Sequence, residues 1–292
     1  MRLDGKVAVI TGAASGIGFG LAKQAASRGM NLVLADVEES ALRDARTQLS
    51  ENGATALAFP TDVRQAAEVE ALATAAFDEF GSVDLLCNNA GVNLTVSRPV
   101  WEFSLADWEW VTGVNMWGVI HGLQAFLPRM MEQTAKSHIL NTSSSAGLIS
   151  GPGLAIYKLT KHAILSLSET MYHDLKGADS QVGVSVFCPG LVNTRIRDAS
   201  RNRPAPLGVE RPRSTEQEVV EKMLRESSGL SGPEAAEIAL TSVESGRFYI
   251  FTDPSTVESA HQRLTGIEAG VPPSAGATFT APPGTETPSS NE

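Results

Sequence analysis

The stretch KVAVITGAASGIG, residues 6–18, joins a short apolar strand, a glycine-rich turn and the start of a helix. Its glycines, Gly12, Gly16 and Gly18, stand in the spacing G-x-x-x-G-x-G. Glycine removes side chains where the backbone turns tightly, and the helix start presents unpaired N–H groups and a positive dipole end. The pattern predicts a pyrophosphate site after the first strand of an α/β fold. Glycines that serve only packing are the alternative.

Short apolar, β-branched runs alternate with helical patterns along the rest of the chain. The predicted strands cover residues 6–11, 31–36, 54–60, 83–88, 137–142, 182–188 and 247–252. The predicted helices cover residues 16–28, 39–52, 65–80, 104–132, 155–176 and 232–244. Most strands are apolar throughout, as a parallel sheet covered on both sides requires. The alternation predicts an α/β fold with a doubly wound, Rossmann-like parallel sheet and helices on both faces, in a single domain.

Two regions interrupt this alternation. Residues 195–230 are rich in Arg, Pro and Glu, and we expect an insertion that acts as a lid over a substrate. Residues 269–292 are dominated by Pro, Gly, Ser, Thr and Ala, which bury too little apolar surface to offset their ordering entropy. We therefore expect one folded domain over residues 1–268 and a disordered tail over residues 269–292.

Composition and charge disfavour several classes of partner. Of the 292 residues, 42% are apolar and 19% charged, and the formal net charge of −10 argues against nucleic acid or an anionic membrane. No apolar run approaches the roughly 18 residues of a membrane span, and the first residues lack the features of a signal peptide. We interpret Cys87 and Cys188 as buried reduced thiols, with a disulfide between them as the alternative. These features predict a cytoplasmic protein.

Asp36 ends the second predicted strand, about 20 residues after the glycine turn. A carboxylate there accepts hydrogen bonds from both hydroxyls of an adenosine ribose and repels a 2′-phosphate. No Lys or Arg stands in the glycine turn and Val37 follows Asp36, so we predict NAD as the cofactor. Asp36 as a cap of the next helix is an alternative that can coexist with this role. A second alternative is NADP, bound through Arg64 or an arginine of the lid.

The stretch YKLTK, residues 157–161, places a phenol and an ammonium four residues apart. In a helix, Tyr157 and Lys161 leave the same face one turn apart. A half-buried tyrosine beside a solvated lysine is the simpler interpretation of this pair alone. A tyrosine that gives up its proton near neutral pH is the catalytic interpretation.

With TGAASGIG (11–18), NNAG (88–91) and YKLTK together, the chain resembles the short-chain dehydrogenase/reductase family. The likeness covers residues 5 to about 254, and further stretches stand in the expected order. These are Asp62 with Val63, Asn115 in VNMWG, Ser144 in NTSSSAG, and PGLVNT at 189–194.

The resemblance implies a role for each matching residue. The implied catalytic group is Asn115, Ser144, Tyr157 and Lys161, and Ser144 is chosen among three adjacent serines because the family places this serine thirteen residues before the tyrosine. The implied cofactor-binding residues are Gly12, Ser15, Gly16, Ile17, Gly18, Asp36, Asp62, Val63, Asn89, Ala90, Gly91, Tyr157, Lys161, Pro189, Gly190, Val192 and Thr194. Asn88 is expected to line the cofactor and stabilise the central sheet.

The implied chemistry is hydride transfer between a secondary alcohol or ketone and the nicotinamide. A free tyrosine has a pKa near 10, and we expect the Lys161 ammonium and the oxidised nicotinamide to lower it. Tyr157 would then take or return the substrate proton, while Ser144 holds the substrate oxygen. Lys161 would also bond the nicotinamide ribose, and Asn115 would support a water that links Lys161 to solvent. The five histidines show no metal-ligand spacing, and we expect no metal.

Apolar residues dominate the segments that wall the substrate pocket in this family. The implied substrate-binding residues are Asn93, Ser144, Leu148, Ile149, Tyr157 and Leu191. We expect a hydrophobic substrate, and a likeness to bacterial dehydrogenases of lignin-type aryl ethers suggests a bulky, aromatic secondary alcohol.

Six arginines stand in the predicted lid: Arg195, Arg197, Arg201, Arg203, Arg211 and Arg213. One or two of them could bind an anionic substrate group or the pyrophosphate. The favoured alternative is a solvated loop in which they are balanced by Glu210, Glu216, Glu218 and Glu221.

Helices near residues 104–132 and 155–176 form the subunit interface in this family, so we expect a homodimer or homotetramer. The competing class of function is a dinucleotide-sensing binding protein without turnover.

Overall fold

Parallel strands form the central layer of the molecule. The computed structural model describes residues 1–94, 98–209 and 229–273. The strands are Val7–Thr11 (β1), Asn31–Asp36 (β2), Ala56–Pro60 (β3), Leu85–Asn88 (β4), Ser137–Thr142 (β5), Val182–Cys188 (β6), Val192–Asn193 (β7), Leu230–Ser231 (β8) and Tyr249–Phe251 (β9). The α-helices are Gly16–Ser27 (α1), Glu39–Glu51 (α2), Ala66–Phe80 (α3), Leu105–Thr112 (α4), Gly118–Glu132 (α5), Ala155–Gly177 (α6), Gly232–Glu244 (α7) and Ser255–Glu268 (α8).

Seven of these strands pair in the order β3-β2-β1-β4-β5-β6-β9, and every pairing is parallel. The chain moves outward from β1 to β3 and then returns to place β4 on the other side of β1, so the strand order reverses next to β1. In open α/β sheets a ligand crevice lies at such a switch point, outside the carboxyl ends of the strands. The predicted doubly wound parallel sheet is confirmed.

Two apolar layers cover the sheet, one on each face. Side chains of α3, α4, α5 and α6 pack on one face, around Trp110 and Phe126. Helices α1, α2 and α7 cover the other face, around Leu21 and Leu240. Helices α1 and α7 approach closely because Gly20 faces the backbone of Gly232, where an added Cβ would stand 2.4 Å from the Gly232 carbonyl oxygen.

The predicted helix over residues 104–132 is interrupted in the structure. Residues Gly113–Trp117 form a π-helical turn between α4 and α5, and this turn contains Asn115. A π-helical turn inserts an extra residue and often marks a functional site. The other predicted helices and strands agree with the structure to within two residues at each end.

Helix α8 was not predicted from the sequence, and it follows the last strand of the sheet. It ends at Glu268, where the predicted domain ends. Most of the proposed tail, residues 274–292, lies outside the described residues, as do residues 210–228 of the lid. The predicted domain boundaries therefore stay a prediction.

Candidate active site

A cleft of about 400 Å³ opens along the carboxyl edge of the sheet, where the strand order reverses. Residues that directly follow β1, β2, β3, β4, β5 and β6 line it. Of the predicted cofactor residues, the lining includes Gly12, Ser15, Gly16, Ile17, Gly18, Asp36, Asp62, Val63, Asn89, Ala90, Gly91, Tyr157, Lys161, Pro189 and Thr194. Gly190 and Val192 are not part of the lining.

The glycine turn has the geometry that a bound pyrophosphate requires. Gly12 and Gly16 adopt φ values of +69° and +56°, which other residues rarely adopt. A Cβ on Gly18 would stand 2.0 Å from the Gly12 carbonyl oxygen, so this glycine also serves packing. Ser15 precedes α1 in an extended conformation and its side chain makes no capping bond. The N–H groups of the first turn of α1 therefore stay available to phosphate oxygens, and the site fits a dinucleotide.

Asp36 lines the cleft at the end of β2, and it is 9% exposed. One carboxylate oxygen accepts a bond of 3.0 Å from the Ala14 N–H, and the other accepts one of 3.0 Å from the Glu38 N–H. Burial raises the pKa of Asp36, and these backbone bonds oppose the rise. Each oxygen keeps a further lone pair for a ribose hydroxyl. The N-cap residue of α2 is Glu38, and Asp36 bonds the N–H of that residue and not an N–H inside the helix, so the alternative of Asp36 as a cap of α2 is not supported.

Glu38 and the first part of the lid form a charged bridge across one side of the cleft. Arg201 donates to Glu38 Oε1 from Nε at 3.0 Å and from Nη2 at 2.6 Å, and Asn202 Nδ2 donates to the same oxygen at 3.0 Å. Arg195 Nη1 lies 3.8 Å from the other carboxylate oxygen. The hydrogen bond from Arg201 is the main reason why the pKa of Glu38 is lowered. We call this cluster the Glu38 bridge; sequence reasoning missed it.

Arg203 holds the lid to α4 by a buried ion pair. Its Nη1 donates to Asp107 Oδ1 at 2.7 Å, and the two side chains are 4% and 6% exposed. Its guanidinium also lies over the Trp110 ring, 5.4 Å from the ring centroid. The favoured interpretation of the lid arginines as solvated is therefore wrong for Arg203, because its charge has a buried partner. The glutamates named as partners, residues 210–221, lie outside the described residues.

Arg64, which lines the cleft, is already paired with Asp62. Its Nε and Nη2 donate to Asp62 Oδ2 at 3.1 Å and 2.5 Å. One edge of the guanidinium is therefore occupied by this carboxylate. Arg195 and Arg201, the lid arginines in the lining, face Glu38. These pairings do not favour the NADP alternative, which needs an arginine for the 2′-phosphate.

The NNAG stretch ties β4 to β1 and β5. Asn89 Nδ2 donates to the Thr11 carbonyl at 3.0 Å, and Thr11 Oγ1 accepts the N–H groups of Asn89 and Ala90. Asn88 is buried and donates to Asn141 Oδ1 at 2.9 Å, so it stabilises the sheet and does not line the cleft. An added Cβ on Gly91 would stand 3.6 Å from both Asn115 Oδ1 and Lys161 Nζ.

Tyr157 and Lys161 line the cleft from one face of α6. Lys161 Nζ lies 5.5 Å from the centroid of the Tyr157 ring and donates to the Thr142 carbonyl at 2.9 Å. Burial lowers the pKa of Lys161 to about 8, so this side chain is cationic at neutral pH. The interpretation of Lys161 as solvated is wrong, since it is 3% exposed.

The predicted fall in the pKa of Tyr157 involves bound NAD⁺, so it stays a prediction. Burial raises this pKa, and a hydrogen bond with the Ser144 side chain only opposes the rise. The physical reason is that removal of water around the phenol disfavours the phenolate more than the nearby hydroxyl stabilises it.

Asn115 holds the backbone that follows NNAG. Its Oδ1 accepts the Val92 N–H at 2.8 Å, and its Nδ2 donates to the Val92 carbonyl at 2.9 Å and to Thr160 Oγ1 at 3.2 Å. These bonds satisfy the side chain, so it is a positioning residue in the structure. Its expected support of a water beside Lys161 stays a prediction.

The predicted substrate residues do not form one surface. Leu148, Ile149 and Leu191 lie outside the cleft lining, and Ser143, the neighbour of Ser144, lines it instead. Asn93 and Tyr157 border a second, narrow space together with Leu94, Phe103, Val111, Leu154 and Ile156. Sequence reasoning missed the apolar wall of the cleft, formed by Trp110, Val114, Ile196, Ala199 and Pro204. The substrate roles stay predictions.

The described part of the chain contains neither a candidate metal cluster nor a helix that could span a membrane. In residues 1–94, 98–209 and 229–273, no three His, Cys, Asp or Glu side chains are grouped as metal ligands. No helix in the same ranges is both long and apolar enough to cross a membrane.

Comparison with known proteins identifies the family. A family model described as short chain dehydrogenase matches residues 6–205. The 1-deoxy-11-beta-hydroxypentalenate dehydrogenase of Streptomyces avermitilis is 36% identical over 253 residues, which cover 87% of this chain and 86% of the relative. The C alpha-dehydrogenase of a Sphingobium species is 33% identical over 276 residues, which cover 92% of this chain and 87% of the relative.

A solved structure extends the likeness to three dimensions. A short-chain dehydrogenase/reductase from Burkholderia phymatum, in complex with NAD, is 43% identical with a TM-score of 0.90. The match covers 96% of this chain and 100% of that chain. The resemblance seen in the sequence motifs is confirmed, and the chain belongs to the short-chain dehydrogenase/reductase family.

Proposed function

We propose that this chain oxidises a secondary alcohol with NAD, or reduces the corresponding ketone with NADH, and that Tyr157 is the general base and acid. As a short-chain dehydrogenase the chain is an oxidoreductase that acts on a hydroxyl or ketone group. The observation that supports the finer proposal is the presence of Tyr157 and Lys161 in the same cleft as Asp36 and the glycine turn.

NAD is the cofactor that the cleft fits best. The Asp36 carboxylate is available to two ribose hydroxyls, and the described arginines that line the cleft are paired with Asp62 or Glu38. The relative from Burkholderia phymatum binds NAD. When bound, the nicotinamide supplies the hydride acceptor for alcohol oxidation and the hydride donor for ketone reduction.

The proton follows a short path through the side chains of α6 and its neighbours. In oxidation, the Tyr157 oxygen takes the proton of the substrate hydroxyl, and in reduction it returns that proton to the carbonyl oxygen. Ser144 is hydrogen-bonded to Tyr157 and would hold the substrate oxygen beside it. The cationic Lys161, 5.5 Å from the ring centroid, favours the phenolate form once water is excluded.

A bulky, hydrophobic substrate fits the rest of the cleft. Trp110, Val114 and Pro204 supply an apolar wall beside Tyr157. One of the relatives is the C alpha-dehydrogenase of a Sphingobium species. We therefore expect secondary aryl alcohols and aryl ketones among the substrates.

A panel of secondary aryl alcohols and aliphatic alcohols, with NADH absorbance as the readout, tests the proposal. Tyr157→Phe removes the proton-transferring oxygen and retains the ring, so turnover should fall by about 10²–10⁴-fold while NAD affinity stays nearly unchanged. Retained turnover in Tyr157→Phe would contradict the assignment. A sensor without turnover would bind NAD and oxidise no alcohol, but it would not need a buried cationic Lys161 beside a tyrosine.

The assembly and the cellular location belong to the same proposal. Exposed apolar side chains on α5, α6 and the π-helical turn, including Trp117, Leu159 and Tyr172, support a homodimer or homotetramer. Light scattering after size-exclusion chromatography measures the assembly directly. Cys87 and Cys188 are buried and unpaired, which fits the reducing cytoplasm.

A further inference from the structure

Arg98 is a buried cation that the proposed chemistry does not use. The residue is 7% exposed, and neither Nε nor Nη2 has a hydrogen-bond partner among the residues that the structure describes. The guanidinium lies over the Phe103 ring, 5.5 Å from the ring centroid. Within the same described ranges, Arg98 forms no ion pair with a carboxylate, unlike the buried Arg203.

An aromatic ring alone does not offset the burial of such a charge. A cation over a ring gains about 0.5–2 kcal/mol, whereas removal of an ion from water has an effective penalty of several kcal/mol. Buried arginines in proteins are therefore paired with an anion. The two unbonded nitrogens, Nε and Nη2, stand side by side on one edge of the planar guanidinium, which matches the two oxygens of a carboxylate.

The position of Arg98 relates it to the reacting end of the cleft. Phe103, the ring under its guanidinium, borders the narrow space that Tyr157 and Asn93 also border. Leu154, another residue of that border, has a φ of +50°, a conformation that non-glycine residues adopt at an energetic cost and often at functional sites. Arg98 itself lines neither the large cleft nor the narrow space, and its contact with the Phe103 ring is what relates it to the narrow space.

We propose that Arg98 binds a carboxylate carried by the substrate, beside the narrow space that Phe103 and Tyr157 border. This inference rests on the proposed function, because the carboxylate belongs to the alcohol or ketone whose oxygen Tyr157 serves. The substrate is then a hydrophobic hydroxy or keto acid. Its carboxylate would pair with the Arg98 guanidinium. Its apolar part would occupy the narrow space between Phe103 and Leu154, which would have to widen.

Binding of matched ketone probes to the enzyme–NAD⁺ complex tests the inference without turnover, because the oxidised cofactor cannot reduce a ketone. Calorimetric titration compares 3- and 4-acetylbenzoate with the neutral acetophenone. Hydrogen bonds to a charged group contribute about 1.5–3 kcal/mol, so at least one acid should bind about 10- to 100-fold more tightly than acetophenone. Arg98→Met should remove this preference, and Arg98→Lys, which retains the charge without the fork, should retain only part of it.

Three results of this titration would overturn the inference. In the first, neither acid binds more tightly than acetophenone. In the second, the preference for an acid is unchanged in Arg98→Met. In the third, inorganic phosphate displaces the acid as effectively as a second acid does. Repetition in the Tyr157→Phe variant separates the two proposals. A preserved acid preference there without any turnover by the wild type would leave the Arg98 site standing and contradict the dehydrogenase proposal. If the wild type oxidises neutral alcohols and shows no preference for acids, the dehydrogenase proposal is supported and the Arg98 site is contradicted.

Thermal stability of the full ligand-free chain gives a second, independent measurement. Arg98→Met retains an apolar stem over Phe103 and removes an unpaired charge, so its Tm should rise. Arg203→Met is the matched control, because the Arg203 side chain is also buried over an aromatic ring but is paired with Asp107. The Tm of this variant should fall. A fall in Tm for Arg98→Met would show that Arg98 already has an anionic partner within the protein or its assembly, and the inference would be wrong.

Discussion

Replacement of Lys161 by methionine should abolish activity. It should also remove a pH-dependent destabilisation of the ligand-free protein. Burial lowers the pKa of Lys161 from 10.5 to about 8. The folded protein therefore binds this proton more weakly than the unfolded chain does, and protonated Lys161 destabilises the fold. The penalty is fully present below pH 8 and disappears as the pH rises toward the unfolded pKa.

The size of this effect follows from the pKa difference. A difference of about 2.5 pKa units corresponds to about 3 kcal/mol at neutral pH, at about 1.4 kcal/mol for each unit. Integration of the proton linkage gives a recovery of about 2 kcal/mol between pH 7 and pH 9.5. Lys161→Met also loses the bond to the Thr142 carbonyl, but that loss does not depend on pH. The quantity to compare is therefore the change of the stability difference with pH.

Urea unfolding of the wild type and Lys161→Met at pH 7 and pH 9.5, at one protein concentration, measures this quantity. The stability of the wild type should gain about 2 kcal/mol relative to the variant over this interval. Lys176→Met, at an exposed position of the same helix, controls for the substitution itself. A difference that stays constant between the two pH values, or moves in the opposite direction, would refute the depressed pKa of Lys161.

Three further substitutions test other parts of the site. Asp36→Ala should weaken NAD binding by about 10- to 100-fold and reduce the preference for NAD over NADP; fluorescence titration of both reduced cofactors measures this, and an unchanged preference would leave Asp36 only its structural bonds. Gly18→Ala places a Cβ 2.0 Å from the Gly12 carbonyl oxygen, so stability should fall by about 1–3 kcal/mol, and NAD affinity should fall with it. Calorimetry measures both quantities, and wild-type values would contradict the close contact. Arg203→Met leaves Asp107 buried without its partner and should destabilise the protein by about 3–5 kcal/mol in urea unfolding, whereas a neutral effect would mean that water reaches this pair.

The parts of the site that were predicted from the sequence depend on neighbours along the chain. The glycine turn, Asp36 and the Tyr157–Lys161 pair each lie within one strand, turn or helix, where spacing alone determines the relative positions of the side chains. The parallel sheet then brings these segments to one edge because its strands all end there. For this reason local patterns were enough to predict most of the cleft.

The parts that were missed depend on charges that lie far apart in the sequence. Arg201 and Glu38 are 163 residues apart, and Arg203 and Asp107 are 96 residues apart, so no local pattern relates them. The pKa of Tyr157 could not be predicted either, because its direction depends on burial that only the folded chain determines. In each case the long-range fold decides the electrostatics.

Helix α8 was missed for a different reason. Its apolar residues Val257, Leu264 and Ile267 are exposed, and its buried residues are Thr256 and Ser259. These three apolar residues stand at i, i+7 and i+10 and share one face of the helix, but that face is exposed. The helix also follows the last strand, so the alternation of strands and helices that predicted the other helices does not require it.

The Glu38 bridge has a kinetic consequence. It joins the residue that precedes α2 to the chain that follows β7, and both segments line the cleft. If a dinucleotide leaves the cleft past the Glu38 bridge, we expect its departure to require that these ion pairs open. If cofactor release limits turnover, the turnover rate should rise with salt concentration, because salt screens the ion pairs of the Glu38 bridge. The rate of the hydride-transfer step itself should not depend on salt in this way.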